Sequence, residues 1–161
     1  MERLNVLYRT IRVARDTADI WAEKGTRMSL RILIVDDNAQ IRRSLRRCIE
    51  REPDWDVCGE ATDGQAAVEK VKELHPDAVV LDWHMPIMSG IEAARQIGKI
   101  SPKTAMVMLT LHSGAYLSQE AKAAGIQEVI SKTDVLLVGL FSWLKKVWRG
   151  KRSEVEQAAR I

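Results

Sequence analysis

Short apolar runs alternate with amphipathic stretches along most of the chain, from Leu30 onward. Each run is rich in Val, Ile, Leu or Met and ends in polar or small residues. The five runs are Ile32–Val35, Trp55–Cys58, Ala78–Leu81, Ala105–Leu109 and Val129–Ile130. Apolar runs this short predict strands that are buried on both faces, as the strands of a parallel sheet are.

The stretches between the runs have the period of a helix. In the first of them, Ile41, Leu45 and Ile49 share one face, and a row of arginines takes the other. The row consists of Arg42, Arg43, Arg46 and Arg47. It is either a solvated face, which we favour, or a docking surface for an acidic kinase partner or for DNA. The last helix is predicted to begin after an N-cap at Asp134 and to run to about Trp148.

Alternating strands and helices predict an α/β fold, a doubly wound parallel sheet with helices on both faces. A chain of 161 residues holds one domain of ordinary size with short extensions. We divide it into an N-terminal extension at 1–28, a folded domain at 29–150 and a charged C-terminal tail at 151–161. The extension is either helical or a mis-assigned start, since Met28 lies just before the first strand.

Charge and cysteine content narrow the function classes. The net charge of +3 is too small to indicate direct binding to nucleic acid, and we expect none. Cys48 and Cys58 have no second Cys or His at metal-ligand spacing, so both are predicted to be small core residues in a reducing compartment. No apolar run approaches the roughly 20 residues that span a bilayer, and the first residues do not form a secretory signal. We therefore expect a cytoplasmic protein.

Reactive side chains follow the apolar runs. Asp36 and Asp37 follow the first run and Asp82 follows the third. Thr110 follows the fourth run, and Lys132 comes shortly after the fifth. Because the carboxyl ends of parallel strands meet at one edge of the sheet, these side chains are predicted to converge there.

The converging groups suit a metal and a phosphoryl group. Two carboxylates about 4 Å apart repel each other by roughly 4 kcal/mol at an effective dielectric constant near 20. Lys132 offsets part of this repulsion, and Mg²⁺, which binds carboxylate and phosphate oxygens, would offset the rest. Asp82 would attack phosphorus and become an acyl phosphate, while Lys132 and the Thr110 hydroxyl would hold phosphoryl oxygens.

Several segments of the sequence resemble the receiver domains of two-component response regulators. The likeness covers about residues 29–150, in register throughout. The segments that carry it are Ile32–Asp37, Val80–Pro86, Met108–Thr110 and Ile130–Lys132, with turn glycines at Gly90 and Gly125. These segments and glycines in order, at the spacing of the family, are a specific signal.

The resemblance implies a flavodoxin-like sheet with strand order 2-1-3-4-5 and five helices. It implies that Asp82 is the phosphoacceptor and that Mg²⁺ is held by Asp37, Asp82 and the backbone carbonyl of His84, with Asp36 helping. It also implies a histidine kinase or a histidine phosphotransfer protein as the phosphodonor. Output would be an effector protein or a homodimer formed through the fourth helix, the fifth strand and the fifth helix.

Two features bear on the subtype and on the switch. The segments 52–55 and 59–64, with Thr133 after Lys132, resemble receivers of the NarL/FixJ type. At Val129 the family commonly has an aromatic residue that couples the Thr110 position to the signalling face, so the sequence does not predict an aromatic switch of that kind here. A stand-alone receiver is favoured over the receiver part of a transcriptional regulator that lacks, or is separated from, its helix-turn-helix domain.

Two further alternatives stay open. A phosphatase of the haloacid-dehalogenase type also uses an aspartyl nucleophile, but that family places an Asp where this chain has His84. His84 and His112 lie two residues beyond Asp82 and Thr110. They either modulate the lifetime of the acyl phosphate, by controlling access of water, or are two exposed imidazoles.

Overall fold

The computed structural model describes residues 28–112, 114–133 and 136–160. Its centre is a five-stranded sheet with the order β2-β1-β3-β4-β5, in which all neighbours are parallel. The strands are β1 Leu30–Val35, β2 Trp55–Ala61, β3 Ala78–Asp82, β4 Ala105–Thr110 and β5 Glu128–Ser131. The predicted fold class and strand order are confirmed.

Five helices connect or follow these strands. They are α1 Ala39–Ile49, α2 Gly64–Leu74, α3 Gly90–Ile100, α4 Ala115–Ala123 and α5 Leu136–Ala158. Polar side chains begin three of them: Asn38 caps α1, Asp63 caps α2, and Ser89 forms a capping box with Glu92 at α3. The predicted N-cap Asp134 and the N-terminal extension up to residue 27 lie outside the described residues.

The core has two layers, one on each face of the sheet. Alternate strand residues, such as Leu33 and Val35 of β1, pack with α2, α3 and α4. Their neighbours Ile32 and Ile34 pack with α1 and α5 on the opposite face. Because successive strand residues point to opposite faces and both faces are covered, the strands need apolar residues at every position.

Two boundaries differ from the prediction by three residues or more. Strand β2 continues to Ala61 because Gly59 and Glu60 pair with β1 after a register irregularity, although a Gly and a Glu suggested that the strand had ended. The prediction that the last helix ends near Trp148 is wrong, because α5 continues to Ala158. Lys151 ties this continuation to the domain, with its Nζ 2.6 Å from Asp77 Oδ2 and 2.8 Å from the Ser29 carbonyl oxygen. Much of the charged tail is therefore helical.

The arginine row and the two cysteines match their predicted environments only in part. Arg43 and Arg47 of the arginine row are exposed, whereas Arg42 and Arg46 reach across to Glu60 on β2. Cys48 and Cys58 are free thiols that are half-buried rather than fully in the core. Within the described ranges, no helix is long and apolar enough to cross a membrane.

Candidate functional site

Three carboxylates meet at the carboxyl edge of the sheet. Carboxylate oxygens of Asp36, Asp37 and Asp82 all lie within 4.8 Å of one another. The register of two strands explains this, because Val35 of β1 pairs with Leu81 of β3. The residues that follow this pair, Asp36 and Asp82, therefore lie side by side at the carboxyl ends of the two strands. Asp36 and Asp82 are buried and Asp37 is exposed, so the cluster opens to solvent on the side of Asp37.

Lys132 joins the cluster from the other half of the sheet. Its Nζ lies 2.6 Å from Asp36 Oδ2 and 2.9 Å from Asp82 Oδ1, and its side chain is only 8% exposed. Its backbone N–H donates to the Thr110 carbonyl over 2.7 Å, which places the residue just beyond β5. The ammonium thus bridges two of the three acids.

Asp82 is further oriented by the backbone. The N–H of Trp83 donates to Asp82 Oδ1 over 2.8 Å, on the oxygen that Lys132 also contacts. The turn after β3 is tight, since Gly90 N–H donates to the Trp83 carbonyl over 3.0 Å. A Cβ at Gly90 would collide with the backbone carbonyl oxygen of Asp82, so this position requires glycine.

Thr110 and the two histidines line the same cavity of about 240 Å³ as the acids. Thr110 is buried, and its Oγ1 accepts a hydrogen bond from the His112 N–H over 3.0 Å. The exposed rings of His84 and His112 lie 5.6 Å apart, measured between centroids. Trp83 contacts both, at 4.2 Å from His84 and 5.4 Å from His112. The histidines therefore stand at the mouth of the cavity.

The remaining predicted site residue, Val129, lies away from the acids. It pairs with Met108 of β4 and is half-buried against the core layer that contains α4. Asn38, which sequence reasoning missed, lines the cavity beside the acids. Its N–H donates to Asp36 Oδ1 over 2.8 Å, and its side chain caps α1. An Asn just before an amphipathic stretch was the signal that could have revealed it.

A family model for the response regulator receiver domain matches residues 32–136 of the chain. The chain belongs to this family. This membership confirms the resemblance drawn from the sequence and leaves the haloacid-dehalogenase alternative without support. The NarL/FixJ subtype stays a prediction.

Relatives and solved structures agree with the family. The chemotaxis protein CheY of Thermotoga maritima is 42% identical over 105 residues, which cover 65% of this chain and 87% of that protein. The response regulator domain of Thermotoga maritima CheB superposes with a TM-score of 0.67 at 35% identity, covering 75% of this chain and 95% of that one. The CheX-CheY-BeF3-Mg²⁺ complex of Borrelia burgdorferi gives a TM-score of 0.69 at 25% identity, covering 74% of this chain and 89% of that one.

Some relatives are much longer than this chain. It spans about a third of the length of the protein-glutamate methylesterase/protein-glutamine glutaminase 4 of Hahella chejuensis, where the match covers 34%. What this receiver shares with such proteins is the receiver domain.

The charges of the receiver site perturb its titration. Burial raises the pKa of Asp82 and the Asp36 carboxylate raises it further, while Lys132 opposes both. Burial alone would lower the pKa of Lys132, but the hydrogen bonds that it donates to Asp36 and Asp82 outweigh burial and raise it. The Lys132 ammonium therefore stays charged at neutral pH, whereas the ionised form of Asp82 is destabilised relative to a carboxylate in water.

The donor set fits a divalent cation. With the carboxylates ionised, three acids and one lysine leave two negative charges uncompensated in a partly buried cluster. Carboxylate oxygens are the ligands that Mg²⁺ prefers, and exposed Asp37 leaves a path for the ion and its waters. The residues present thus suit Mg²⁺ in number, charge and chemistry.

The raised pKa of Asp82 predicts a pH-dependent stability difference. Because the folded receiver binds the Asp82 proton more tightly than the unfolded chain does, the contribution of Asp82 to stability rises as pH falls through its raised pKa. Without metal at neutral pH, Asp82→Asn should be more stable than the wild type, and the gap should close as the pH is lowered. Urea denaturation of both proteins measures it, and the carboxyl groups distant from the cluster cancel in the comparison. A gap that does not change with pH would contradict the expectation.

Proposed function

We propose that this receiver is a stand-alone phosphorylation switch that accepts a phosphoryl group on Asp82 from a histidine kinase or a histidine phosphotransfer protein. The observation that carries the proposal is the convergence of Asp36, Asp37 and Asp82 with Lys132 bridging two of them. Such a cluster has both a nucleophilic carboxylate and the positive charge that phosphoryl transfer needs.

Asp82 acts as the nucleophile. A carboxylate oxygen attacks phosphorus in line, a new O–P bond forms, and the bond from phosphorus to the donor breaks. The electron pair of that bond leaves with the donor nitrogen, and Asp82 becomes an acyl phosphate. Lys132 and the Trp83 N–H both contact Oδ1, so they fix the rotation of the carboxyl group before the donor arrives.

The proposed metal is Mg²⁺, held by Asp36, Asp37, Asp82 and the backbone carbonyl of His84. When bound, Mg²⁺ would neutralise the acids and stabilise negative charge on the transferring group. The Borrelia burgdorferi CheY complex contains Mg²⁺, and we extend that metal to this chain. Trp83, next to Asp82 and half-buried, should report metal binding through its fluorescence.

Thr110 and Lys132 are the proposed groups that respond to the phosphate. The acyl phosphate adds nearly two negative charges at the strand ends. Lys132 already contacts Asp82 and would contact the phosphoryl oxygens, while the Thr110 hydroxyl would donate to another of them. Movement of Thr110 would be passed to Val129, which pairs with Met108 on the neighbouring strand. Val129 has no aromatic ring, so the coupling would work by aliphatic packing.

His84 and His112 are proposed to modulate the lifetime of the acyl phosphate. Their rings and Trp83 stand together at the mouth of the cavity. Crowding there would limit the approach of the water that hydrolyses the phosphate. The receiver would thus be a switch with slow self-dephosphorylation rather than a turnover enzyme.

Output is proposed to pass through the face of α4, β5 and α5. Large apolar side chains are exposed on or next to this face: Leu111 is 74% exposed, Tyr116 76% and Val138 74%. Such side chains mark a surface that a partner can cover, either an effector protein or a second copy. The CheY of Borrelia burgdorferi is found in complex with CheX, which is a precedent for a protein partner. A cytoplasmic location completes the proposal.

Acetyl phosphate tests the proposal directly. Incubated with this small phosphodonor and Mg²⁺, the protein should gain the mass of one phosphoryl group, measured on the intact chain. In EDTA it should gain none, because the acids would stay mutually repelled and the transferring group unneutralised. A chain that takes no phosphate in Mg²⁺, or the same amount in EDTA, would refute the proposed chemistry.

A further inference from the structure

The two acids after β1 stand on a very short connection. Only residues 36–38 separate β1 from α1. Two backbone donors in this connection have partners: the Asp36 N–H donates to the Ala61 carbonyl over 3.1 Å, and the Asn38 N–H donates to Asp36 Oδ1. The direction in which the Asp36 and Asp37 carboxylates point depends on how this backbone is held.

Arg42 holds the carbonyl side of the same connection. From the first turn of α1 its Nη1 reaches back to the Asp36 carbonyl oxygen at 2.7 Å and to the Asp37 carbonyl oxygen at 3.3 Å. One guanidinium nitrogen therefore joins the two peptide units that carry the acids. These contacts fall on the backbone, whereas Lys132 contacts the carboxylates themselves.

Glu60 of β2 fixes the guanidinium in turn. Arg42 Nε lies 3.0 Å from Glu60 Oε2, and the Arg42 side chain is only 15% exposed. Arg46 takes the other oxygen, with Nε 2.6 Å from Glu60 Oε1. Burial raises the pKa of Glu60, but hydrogen bonds from Arg46 and Arg42 outweigh burial and lower it, so the acid is ionised at neutral pH.

We propose that Arg42, anchored by Glu60, is a positioning residue for the metal site. It holds the backbone of Asp36 and Asp37 so that both carboxylates face the cavity before Mg²⁺ binds. This inference rests on the proposed function. Groups that orient metal ligands without touching the metal typically contribute a factor of 10 to 100 in metal affinity. Pre-organisation lowers the ordering cost of binding, so its loss weakens affinity with the ligands still present.

Arg46 supplies a matched control. It shares Glu60 with Arg42 and lies on the same helix, but it donates to Glu60, Glu50 and the Val57 carbonyl oxygen, away from Asp36 and Asp37. Arg42→Met and Arg46→Met therefore remove the same charge and one partner of the same acid. Only Arg42→Met releases the connection that carries Asp36 and Asp37.

Mg²⁺ titration of the wild type and both variants tests the inference, followed by Trp83 fluorescence and by calorimetry well below the unfolding temperature. We expect the Kd for Mg²⁺ to rise roughly tenfold in Arg42→Met and to stay unchanged in Arg46→Met. Without metal, hydrogen exchange of the Asn38 amide should be faster in Arg42→Met alone, because its bond to Asp36 Oδ1 depends on the held backbone.

The outcomes separate this inference from the proposed function. If the wild type binds no Mg²⁺, the proposed function fails. If the wild type binds Mg²⁺ and Arg42→Met binds it equally well, or Arg46→Met loses as much affinity, the positioning role is wrong. Should Arg42→Met not fold, Arg42→Lys decides, since it keeps the charge without the planar fork. An affinity below that of the wild type supports the inference, and wild-type affinity overturns it.

Discussion

Asp82→Asn is expected to take up no phosphate from acetyl phosphate and Mg²⁺, under conditions in which the wild type gains one phosphoryl group. The amide that replaces the carboxylate has nearly the same shape but is a far poorer nucleophile towards phosphorus. The surrounding groups, Lys132 and the Trp83 N–H, stay in place. Intact-mass measurement after a fixed time compares the two proteins, and we expect labelling of the variant to fall to background.

Asp56→Asn is the matched control for this result. Asp56 is an exposed aspartate on β2, at a register position paired with Arg31 and away from the carboxyl edge. It should label like the wild type. Equal labelling of Asp82→Asn and the wild type would remove Asp82 as the phosphoacceptor, even with the rest of the fold unchanged.

Lys132→Met is expected to lower the free energy of unfolding by about 3–5 kcal/mol in metal-free buffer. Methionine keeps much of the length and apolar stem of lysine, so the main loss is the ammonium. Asp36 and Asp82 would then face each other, both nearly buried, without the cation that lies 2.6 and 2.9 Å from them. Removing one partner of a buried ion pair costs more than the pair contributes, because the remaining charges are left unbalanced.

Mg²⁺ should restore much of the stability lost in Lys132→Met. A ligand that binds only the folded state stabilises it in proportion to the logarithm of its concentration over Kd. The variant should keep its metal affinity, or gain some, because a competing cation has been removed. Thermal unfolding with increasing Mg²⁺ measures this, and the variant should gain more in Tm than the wild type.

Two further proteins sharpen the Lys132 experiment. Lys146→Met removes a lysine whose side chain is 70% exposed and 4.0 Å from Glu128, so it should cost less than about 1 kcal/mol. Adding Asp82→Asn to Lys132→Met should recover stability, because one of the unbalanced charges disappears. Equal losses in Lys132→Met and Lys146→Met, or no recovery in the double variant, would show that the cluster is not under electrostatic strain.

The pattern of apolar runs was sufficient for the architecture. Strands covered on both faces must be apolar at every position, and this is visible in one dimension. Strand ends were less visible, because Glu60 is polar yet pairs in β2, where two arginines neutralise it. The continuation of α5 past Trp148 was also not predictable from the sequence. The contacts that hold it are made by Lys151 with Asp77 and the Ser29 carbonyl oxygen, which are far away along the chain.

The acids at the site could be named from sequence because their chemistry and their place after strands are local properties. That they converge required only the rule that parallel strands end at one edge. Which acids Lys132 bridges, and which face opens to solvent, depended on the pairing of Val35 with Leu81 and on the path of the chain after β5.

The sequence by itself therefore determined the family, the α/β architecture and which polar side chains follow the strands at the carboxyl edge of the sheet. Only the tertiary structure decided the supporting contacts, above all that Arg42 rather than Arg46 reaches the carbonyls of the acidic connection. Both arginines lie on one helix face, and the sequence predicts the same environment for each. The two arginines make different contacts because of the distances between β1, α1 and β2. Contacts between elements that are far apart along the chain do not appear in its hydrophobic periodicity.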